Sequence, residues 1–194
     1  MTEKQADFQV ANDKKRVKDI FDWVEVVLSA MLAVVIIFTL LFRVATIVGE
    51  SMENTFFENQ KVIISNCFYT PKAGDVVVVS RNADNNSVLD NEQGPIIKRV
   101  IATEGQQVNI DFKSGIVYVD GIALDEPYTK TPTNLKYDIE FPVYVPEGHI
   151  FCLGDNRNDS LDSRSSRIGM IDTRYVLGKV TFRILPFDAF GKVE

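Results

Sequence analysis

Residues 23–42 read WVEVVLSAMLAVVIIFTLLF, a run that is apolar except for Glu25, Ser29 and Thr39. A helix needs about 20 apolar residues to cross a bilayer, and this run has that length. A cleavable signal has a shorter apolar core, of about 7–15 residues, with a small-residue cleavage site close behind it. The residues that follow, LFRVATIV, contain no such site. We therefore predict a permanent transmembrane anchor over residues 21–42, with a buried helix of a soluble protein as the alternative.

The charges around this run predict its direction in the membrane. Five basic residues precede it, and only Arg43 closely follows it; the five are Lys4, Lys14, Lys15, Arg16 and Lys18. Because basic flanks stay in the cytoplasm, residues 1–20 are predicted to form a cytoplasmic tail. No later segment has comparable apolar length, so residues 43–194 are predicted to form one extracytoplasmic domain.

Composition argues against two other classes of protein. The chain carries 21 Lys and Arg against 27 Asp and Glu, and an acidic chain without a basic stripe is poorly suited to bind nucleic acid. The two cysteines, Cys67 and Cys152, are far apart and form no C-x-x-C motif, which indicates neither a zinc site nor a disulfide scaffold. They are predicted to be small core residues. A single bridge between them remains open if the domain lies outside the cytoplasm.

The domain after the anchor is predicted to be mainly β, with an antiparallel or mixed sheet. Short β-branched runs alternate with Pro, Gly and Asn clusters, and no helical period separates them. The runs are KVIIS (61–65), DVVVVS (75–80), IIKRVIA (96–102) and GIVYVDG (115–121). Asp120-Gly121 predicts a tight hairpin turn, because both residues accept positive φ angles. Two polar segments, 81–94 and 128–137, are predicted to be mobile loops.

The chain has a single histidine, His149, which limits the hydrolytic chemistry it could support. A Ser-His-Asp triad would need this histidine as its base, but its alternation with Phe151 and Leu153 favours a structural place in a strand. A serine nucleophile can instead be activated by a neutral lysine. Neutrality near pH 7 requires the lysine pKa to fall by about 3 units, mainly through desolvation. A catalytic lysine should therefore lie in an apolar environment.

Lys98, Ser51 and the segment 154–164 are the candidates for such a site. Lys98 is flanked by apolar residues in IIKRVIA, Ser51 lies in VGESMENTFFEN, and residues 154–164 read GDNRNDSLDSR. Each has an ordinary structural alternative. These are a lysine that points outward from an edge strand, a serine in a helix cap or turn, and a solvated loop with one Asp-Arg pair.

Taken together, these segments resemble those of bacterial type I signal peptidases, in the same order and after the same kind of anchor. The family's Ser-Met-x-Pro-Thr-Leu box resembles residues 51–56, SMENTF, and Gly74-Asp75-Val76-Val77 is similar to its second box. Lys98-Arg99-Val100 matches the lysine box, with Gly105 in the turn that follows. Residues 154–164 fit the long last box. The resemblance implies a β catalytic domain of the signal-peptidase type.

The resemblance implies a role for each candidate residue. Ser51 would be the nucleophile and Lys98 the general base, Ser160 would hydrogen-bond and orient Lys98, and Asp162 would pair with Arg164. Gly49 stands where some members carry a hydroxyl that assists the oxyanion hole. The residues expected to contact substrate are Val48, Met52, Phe56, Ile96 and Ile97. Asn54, Phe56 and the turn Glu104-Gly105-Gln106 depart from the family pattern, which affects the expected substrate range.

The expected activity is removal of signal peptides from exported preproteins after a small-x-small motif, without a metal or other cofactor. Expected partners are preproteins and the lipid bilayer, with the secretion translocon as a further candidate and nucleic acid excluded. Two alternatives are a self-cleaving repressor with the same dyad and a non-enzymatic, membrane-tethered β domain that is an adaptor or an inactive paralogue. The repressor would have a DNA-binding domain where this chain has its anchor. The adaptor would have no reason to keep Ser51, Lys98, Ser160 and Asp162 together.

Overall fold

The computed structural model describes residues 3–67, 69–80 and 94–193, without the side chains of residues 3–15 and 40. Its first unit is helix α1, Glu3–Leu41. Within it, Arg16–Thr39 has a mean hydropathy of 2.3 and is long and apolar enough to cross a membrane. The described apolar side chains of this stretch are largely exposed. The helix begins well before residue 21 because the preceding residues, EKQADFQVANDKKRVK, include many good helix formers.

The second unit, residues 42–194, contains the β-strands. In chain order they are β1 Phe42–Thr46, β2 Lys61–Ser65, β3 Val76–Val79, β4 Ile96–Thr103, β5 Gln107–Asp111, β6 Ile116–Val119, β7 Ile122–Ala123, β8 Val143–Tyr144, β9 His149–Leu153, β10 Ile171–Asp172, β11 Val176–Leu185 and β12 Gly191–Lys192. Two single-turn 3-10 helices, Thr173–Tyr175 and Phe187–Ala189, flank β11.

Within the described residues, all strand pairs are antiparallel and form two sheets. The larger has the order β1-β2-β11-β3-β4-β9-β10, with β12 also paired to β11, and the smaller has the order β7-β6-β5-β8. The prediction of a mainly β domain is confirmed. All four predicted strand runs form strands, as β2, β3, β4 and β6.

The position of β3 inside the larger sheet explains why its sequence is a continuous apolar run. It lies between β11 and β4, and all four of its valines are buried. Val76 and Val78 pack into one core cluster with Met52 and Phe56, whereas Val77 and Val79 pack into another. A strand buried on both faces has no polar face to alternate with its apolar one.

The hairpin predicted at Asp120-Gly121 is confirmed. These two residues join β6 to β7 and have φ angles of 51° and 78°. Positive φ at both central positions is the requirement of the tight turn that matches the twist of the paired strands.

Of the two predicted loops, residues 81–93 lie outside the described part of the chain. The other, 128–137, is irregular as expected. It is also packed against the domain, because Thr133 is fully buried and its backbone N–H donates to Gly115 O (3.0 Å). Gly115 has φ +75°, and a Cβ there would lie 2.4 Å from Pro132 Cβ. Its mobility stays a prediction.

Candidate active site

Ser51 lies in a tight turn that is anchored to the hydrophobic core by Met52 and Phe56. Backbone N–H groups of Thr55 and Phe56 donate to Met52 O, at 3.0 and 2.8 Å. The side chains of Met52 and Phe56 are buried in the core cluster that includes β2 and β3 residues. This burial fixes the base of the turn and leaves Ser51 only partly buried at its start.

Lys98 is the third residue of β4, an interior strand between β3 and β9. It lies opposite Val77, which is fully buried, and only 4% of the surface of Lys98 is exposed. The alternative of a lysine pointing outward from an edge strand is therefore wrong. Lys98 is buried, as the sequence analysis required of a catalytic lysine.

The side chains of Ser51 and Lys98 meet although they are 47 residues apart. Lys98 Nζ lies 2.7 Å from Ser51 Oγ, within hydrogen-bond distance. No rearrangement is needed for a proton to pass between these two atoms.

The segment 154–165 also holds the Ser51 turn in place, through hydrogen bonds from Asn156. Asn156 N donates to Ser51 O (3.0 Å), and Asn156 Nδ2 donates to Glu50 O (3.2 Å). Gly154 packs closely against both turns, since a Cβ there would lie 2.5 Å from Ser51 O and 2.2 Å from Ser160 Oγ. A glycine is required at this position by space alone.

Asp162 and Arg164 form the ion pair that the sequence predicted. Both are fully buried, and Arg164 Nε and Nη2 donate to the two carboxylate oxygens at 2.8 and 2.9 Å. The same carboxylate accepts from Gly154 N (3.1 Å). The pair therefore supports the backbone beside Ser51, and the alternative of a solvated loop is wrong.

The predicted hydrogen bond from Ser160 to Lys98 is not formed. Ser160 is buried next to the Gly154 backbone, but its Oγ has no hydrogen-bond partner. Ser160 Oγ lies against Gly154, and the backbone of Ser160 is held through its carbonyl, which accepts from Arg164 Nη2 (3.2 Å) and Tyr137 Oη (3.1 Å).

A second buried ion pair was not assigned from the sequence. Arg99 Nε and Nη2 donate to the two carboxylate oxygens of Asp155, at 2.9 and 2.8 Å, and both side chains are almost fully buried. Asp155 Oδ2 also accepts a hydrogen bond from Thr55 Oγ1, and Arg99 Nη1 donates to Gly74 O (2.8 Å). These residues belong to the motifs that were quoted, but their mutual contacts could not be read from spacing.

A third arginine connects the site to the segment 126–139. Arg157 Nη1 donates to Glu126 Oε2 (3.0 Å) and to Thr133 Oγ1 (2.7 Å), and Arg157 Nε donates to Gly154 O (3.0 Å). The hydroxyl of Tyr128 donates to Glu126 Oε1 (2.9 Å). The guanidinium of Arg99 stacks over the Tyr128 ring, with Arg99 Cζ 3.9 Å from the ring centroid. Burial, followed by the Glu126 carboxylate, raises the pKa of Tyr128, so this hydroxyl remains a donor at neutral pH.

The residues predicted to contact substrate lie in different environments. Val48 is 82% exposed beside the Ser51 turn, and Ile96 and Ile97 are half-buried at the start of β4. Met52 and Phe56 are core residues, so any effect they have on a substrate pocket is through its floor. Contact of any of these residues with substrate stays a prediction.

Gly49 has φ +81° with open space around its Cα, a conformation that favours glycine. Its role next to the oxyanion hole also stays a prediction.

His149 and the two cysteines lie in different places, and Cys152 is close enough to Lys98 to interact with it electrostatically. His149 begins β9, five residues or about 16 Å along the chain from Gly154, and its Nδ1 lies 2.8 Å from Glu147 O. Cys152 is buried in β9, as predicted. Cys67 is exposed just after β2, so the prediction that it lies in the core is wrong, and both cysteines are free. Among the described residues, no cluster of three or more His, Cys, Asp or Glu is placed to hold a metal ion.

Comparison with known proteins gives a consistent result. The family model for signal peptidase, peptidase S26, matches residues 20–185. Signal peptidase IB of Staphylococcus aureus strain COL is 32% identical, over 89% of this chain and 93% of that protein. Signal peptidase I P of Bacillus subtilis subsp. natto is 27% identical, over 91% and 95% respectively. A crystal structure of a signal peptidase I from Enterococcus faecalis V583 aligns at 28% identity with a TM-score of 0.44, covering 58% of this chain and 98% of that one.

The chain therefore belongs to the peptidase S26 family of signal peptidases, and its activity is that of a type I signal peptidase, a serine endopeptidase. Its substrates are preproteins that carry signal peptides, and its apolar helix fits a membrane protein. The repressor alternative does not agree with this family.

Proposed function

We propose that Ser51 and Lys98 form the catalytic dyad with which this signal peptidase cleaves preproteins. The observation that carries the proposal is the 2.7 Å distance between Lys98 Nζ and Ser51 Oγ, with Lys98 buried and Ser51 partly accessible. A nucleophile within hydrogen-bond reach of its base is the arrangement that covalent catalysis requires.

The proposed reaction has two stages. Lys98, as the neutral amine, accepts the Ser51 hydroxyl proton while Ser51 Oγ attacks the scissile carbonyl, and the same proton then passes to the leaving amine. Water, activated by Lys98, hydrolyses the acyl-enzyme and regenerates Ser51. The backbone N–H of Ser51 would stabilise the oxyanion, with the Gly49 backbone beside it.

The substrate is proposed to bind in an extended conformation against the segment 48–51 and the start of β4. Val48 is exposed there, and Ile96 and Ile97 are only half-buried, so both segments can be reached by a peptide. Main-chain hydrogen bonds would hold the peptide, and shallow pockets would admit small side chains.

Cleavage of a purified preprotein by the full chain in detergent tests this function. Wild type should cut after a small-x-small sequence, as mapped by mass spectrometry, and Ser51→Ala should not cut. Equal cleavage of preproteins with large residues at those two positions would contradict the proposed pockets. Cleavage retained in Ser51→Ala would contradict the assignment of the nucleophile.

The second unit, which contains Ser51 and Lys98, is proposed to lie outside the cytoplasm, because five basic residues precede the apolar helix and only Arg43 closely follows it. Cys67 provides a natural reporter, since it is free and exposed in the second unit. A membrane-impermeant maleimide should label Cys67 in right-side-out vesicles without detergent, with Cys67→Ser as the control. Labelling only after the vesicles are opened would reverse the proposed orientation.

A further inference from the structure

The hydroxyl of Thr55 connects the three segments that meet at the proposed dyad. Thr55 Oγ1 donates to Asp155 Oδ2 and accepts from Arg99 Nη2 (3.2 Å). Arg99 is the neighbour of Lys98 in β4, and Asp155 is the neighbour of Asn156, whose N–H donates to Ser51 O. Thr55 belongs to the same turn as Ser51. Its side chain therefore connects that turn to β4, which carries Lys98, and to the segment 154–165, which supports Ser51.

The acceptor of this hydrogen bond is rigid. Asp155 is fully buried, and its two oxygens are held by the guanidinium of Arg99 at 2.9 and 2.8 Å. The guanidinium is fixed in turn by Gly74 O and by the ring of Tyr128. A charge-assisted hydrogen bond to a fixed carboxylate constrains the position of its donor more strongly than a bond to a mobile surface group.

The backbone of Thr55 is held as well. Arg183 Nη2 donates to Thr55 O (2.6 Å), and Thr55 N donates to Met52 O (3.0 Å). These bonds keep the end of the turn in place without the hydroxyl, so loss of the hydroxyl alone should shift the turn rather than unfold it.

We propose that Thr55 is a positioning residue: its hydroxyl fixes the Ser51 turn at the distance from β4 where Ser51 Oγ meets Lys98 Nζ. The inference rests on the proposed Ser51-Lys98 dyad and adds to it a residue that touches neither the substrate nor the reacting atoms. A displacement of about 1 Å at a reacting centre can lower the rate about 100-fold, which gives the scale of the expected effect.

The test compares Thr55→Val, which keeps the shape and removes the hydroxyl, with Thr55→Ser, which keeps the hydroxyl. Cleavage of a preprotein by the full chain in detergent should show kcat lowered about 10- to 100-fold in Thr55→Val, with KM within about threefold of wild type. Thr55→Ser should recover most of the lost kcat. A merely structural defect would lower the amount of active enzyme without this recovery.

Thr181→Val is the control, because Thr181 Oγ1 also donates a hydrogen bond, to Ile63 O (3.2 Å), but from β11 and to a backbone carbonyl. It should keep the wild-type kcat. If Thr55→Val does not fold, Thr55→Cys replaces it, and its weaker donor should give a kcat clearly below that of Thr55→Ser.

Two results would overturn the inference. A kcat for Thr55→Val within twofold of wild type would show that the hydroxyl does not position Ser51, as would equal losses in the valine and serine variants. Ser51→Ala, measured in parallel, separates these results from failure of the dyad. If Ser51→Ala cleaves like wild type, the dyad and the Thr55 inference fail together.

Discussion

Gly154 packs closely against the backbone of Ser51, with no room for a side chain. Replacing it with alanine places a methyl group within 2.5 Å of Ser51 O and 2.2 Å of Ser160 Oγ, distances that force one of them to move. We expect Gly154→Ala to lower kcat/KM about 100-fold, because Ser51 shifts relative to Lys98. Steady-state cleavage of a preprotein measures this.

Gly191→Ala is the control for the glycine substitution. Gly191 has open space around its Cα and no positive φ, so its variant should cleave like wild type. Equal activity in the two variants would mean that the close approach at Gly154 does not constrain the nucleophile.

At the residue scale, Ser51 and Lys98 were selected through the resemblance to signal peptidases, because their local sequence fits a turn serine and an edge-strand lysine at least as well. The contacts that support them could not be predicted in this way. The bond between Thr55 and Asp155 joins residues 100 apart, and the pair of Arg99 and Asp155 spans 56 residues. No local pattern in the sequence indicates such contacts, and the hydrogen bond from Ser160 to Lys98 that the resemblance implied is not formed.

The segment 126–139 is an element without regular secondary structure that is fixed by ion pairs and hydrogen bonds. Its main attachment is the pair of Arg157 and Glu126, whose side chains are 1% and 10% exposed. Arg157→Met leaves the Glu126 carboxylate without its charge partner in a largely buried place. We expect this variant to lose about 3–5 kcal/mol of the free energy of unfolding, measured by urea denaturation.

The exposed pair of Lys136 and Glu140, in the same segment and the adjoining turn, supplies the comparison. Lys136→Met should cost less than about 1 kcal/mol, because water solvates both charges in either state. Similar losses in the two variants would show that burial does not distinguish these ion pairs.

At the element scale, the strands that were missed have physical reasons for being missed. Strand β11 contains register shifts near Gly178, Phe182 and Leu185, so its side chains do not keep a period of two. Strands β8, β10 and β12 have two residues each, too few to show a period. The strands that were predicted are β-branched runs bounded by turn residues.

For the molecule as a whole, one buried thiol predicts how stability depends on pH. Burial raises the pKa of Cys152, so the native state keeps the neutral thiol when the unfolded chain, with a thiol pKa near 8.5, has lost its proton. The contribution of the Cys152 thiol to the free energy of unfolding is therefore complete below about pH 8.5, and it is lost as the pH rises above that value.

We therefore expect the free energy of unfolding to decline above pH 8.5, with Cys152 contributing about 1.4 kcal/mol per pH unit. Urea denaturation at several pH values measures the slope. In Cys152→Ala the decline should be shallower by that amount, and an unchanged slope would contradict the assignment to Cys152.

At the scale of the whole chain, the mainly β class and the apolar N-terminal helix were predictable, because short β-branched runs and an apolar run of membrane length are signals carried by local sequence. The N-terminal helix proved longer than the anchor predicted over 21–42, since helix-forming residues precede the apolar run.

The central claim is that Ser51 and Lys98 act as one catalytic unit, and a double-mutant comparison tests it most directly. The kcat/KM values of Ser51→Ala, Lys98→Met and the double variant should each fall by roughly a thousandfold or more, and the double variant should be no worse than either single one, because residues that act together are not additive. Lys113→Met, at an exposed lysine, should match wild type. Substantial cleavage by Lys98→Met, or losses that multiply in the double variant, would contradict the dyad.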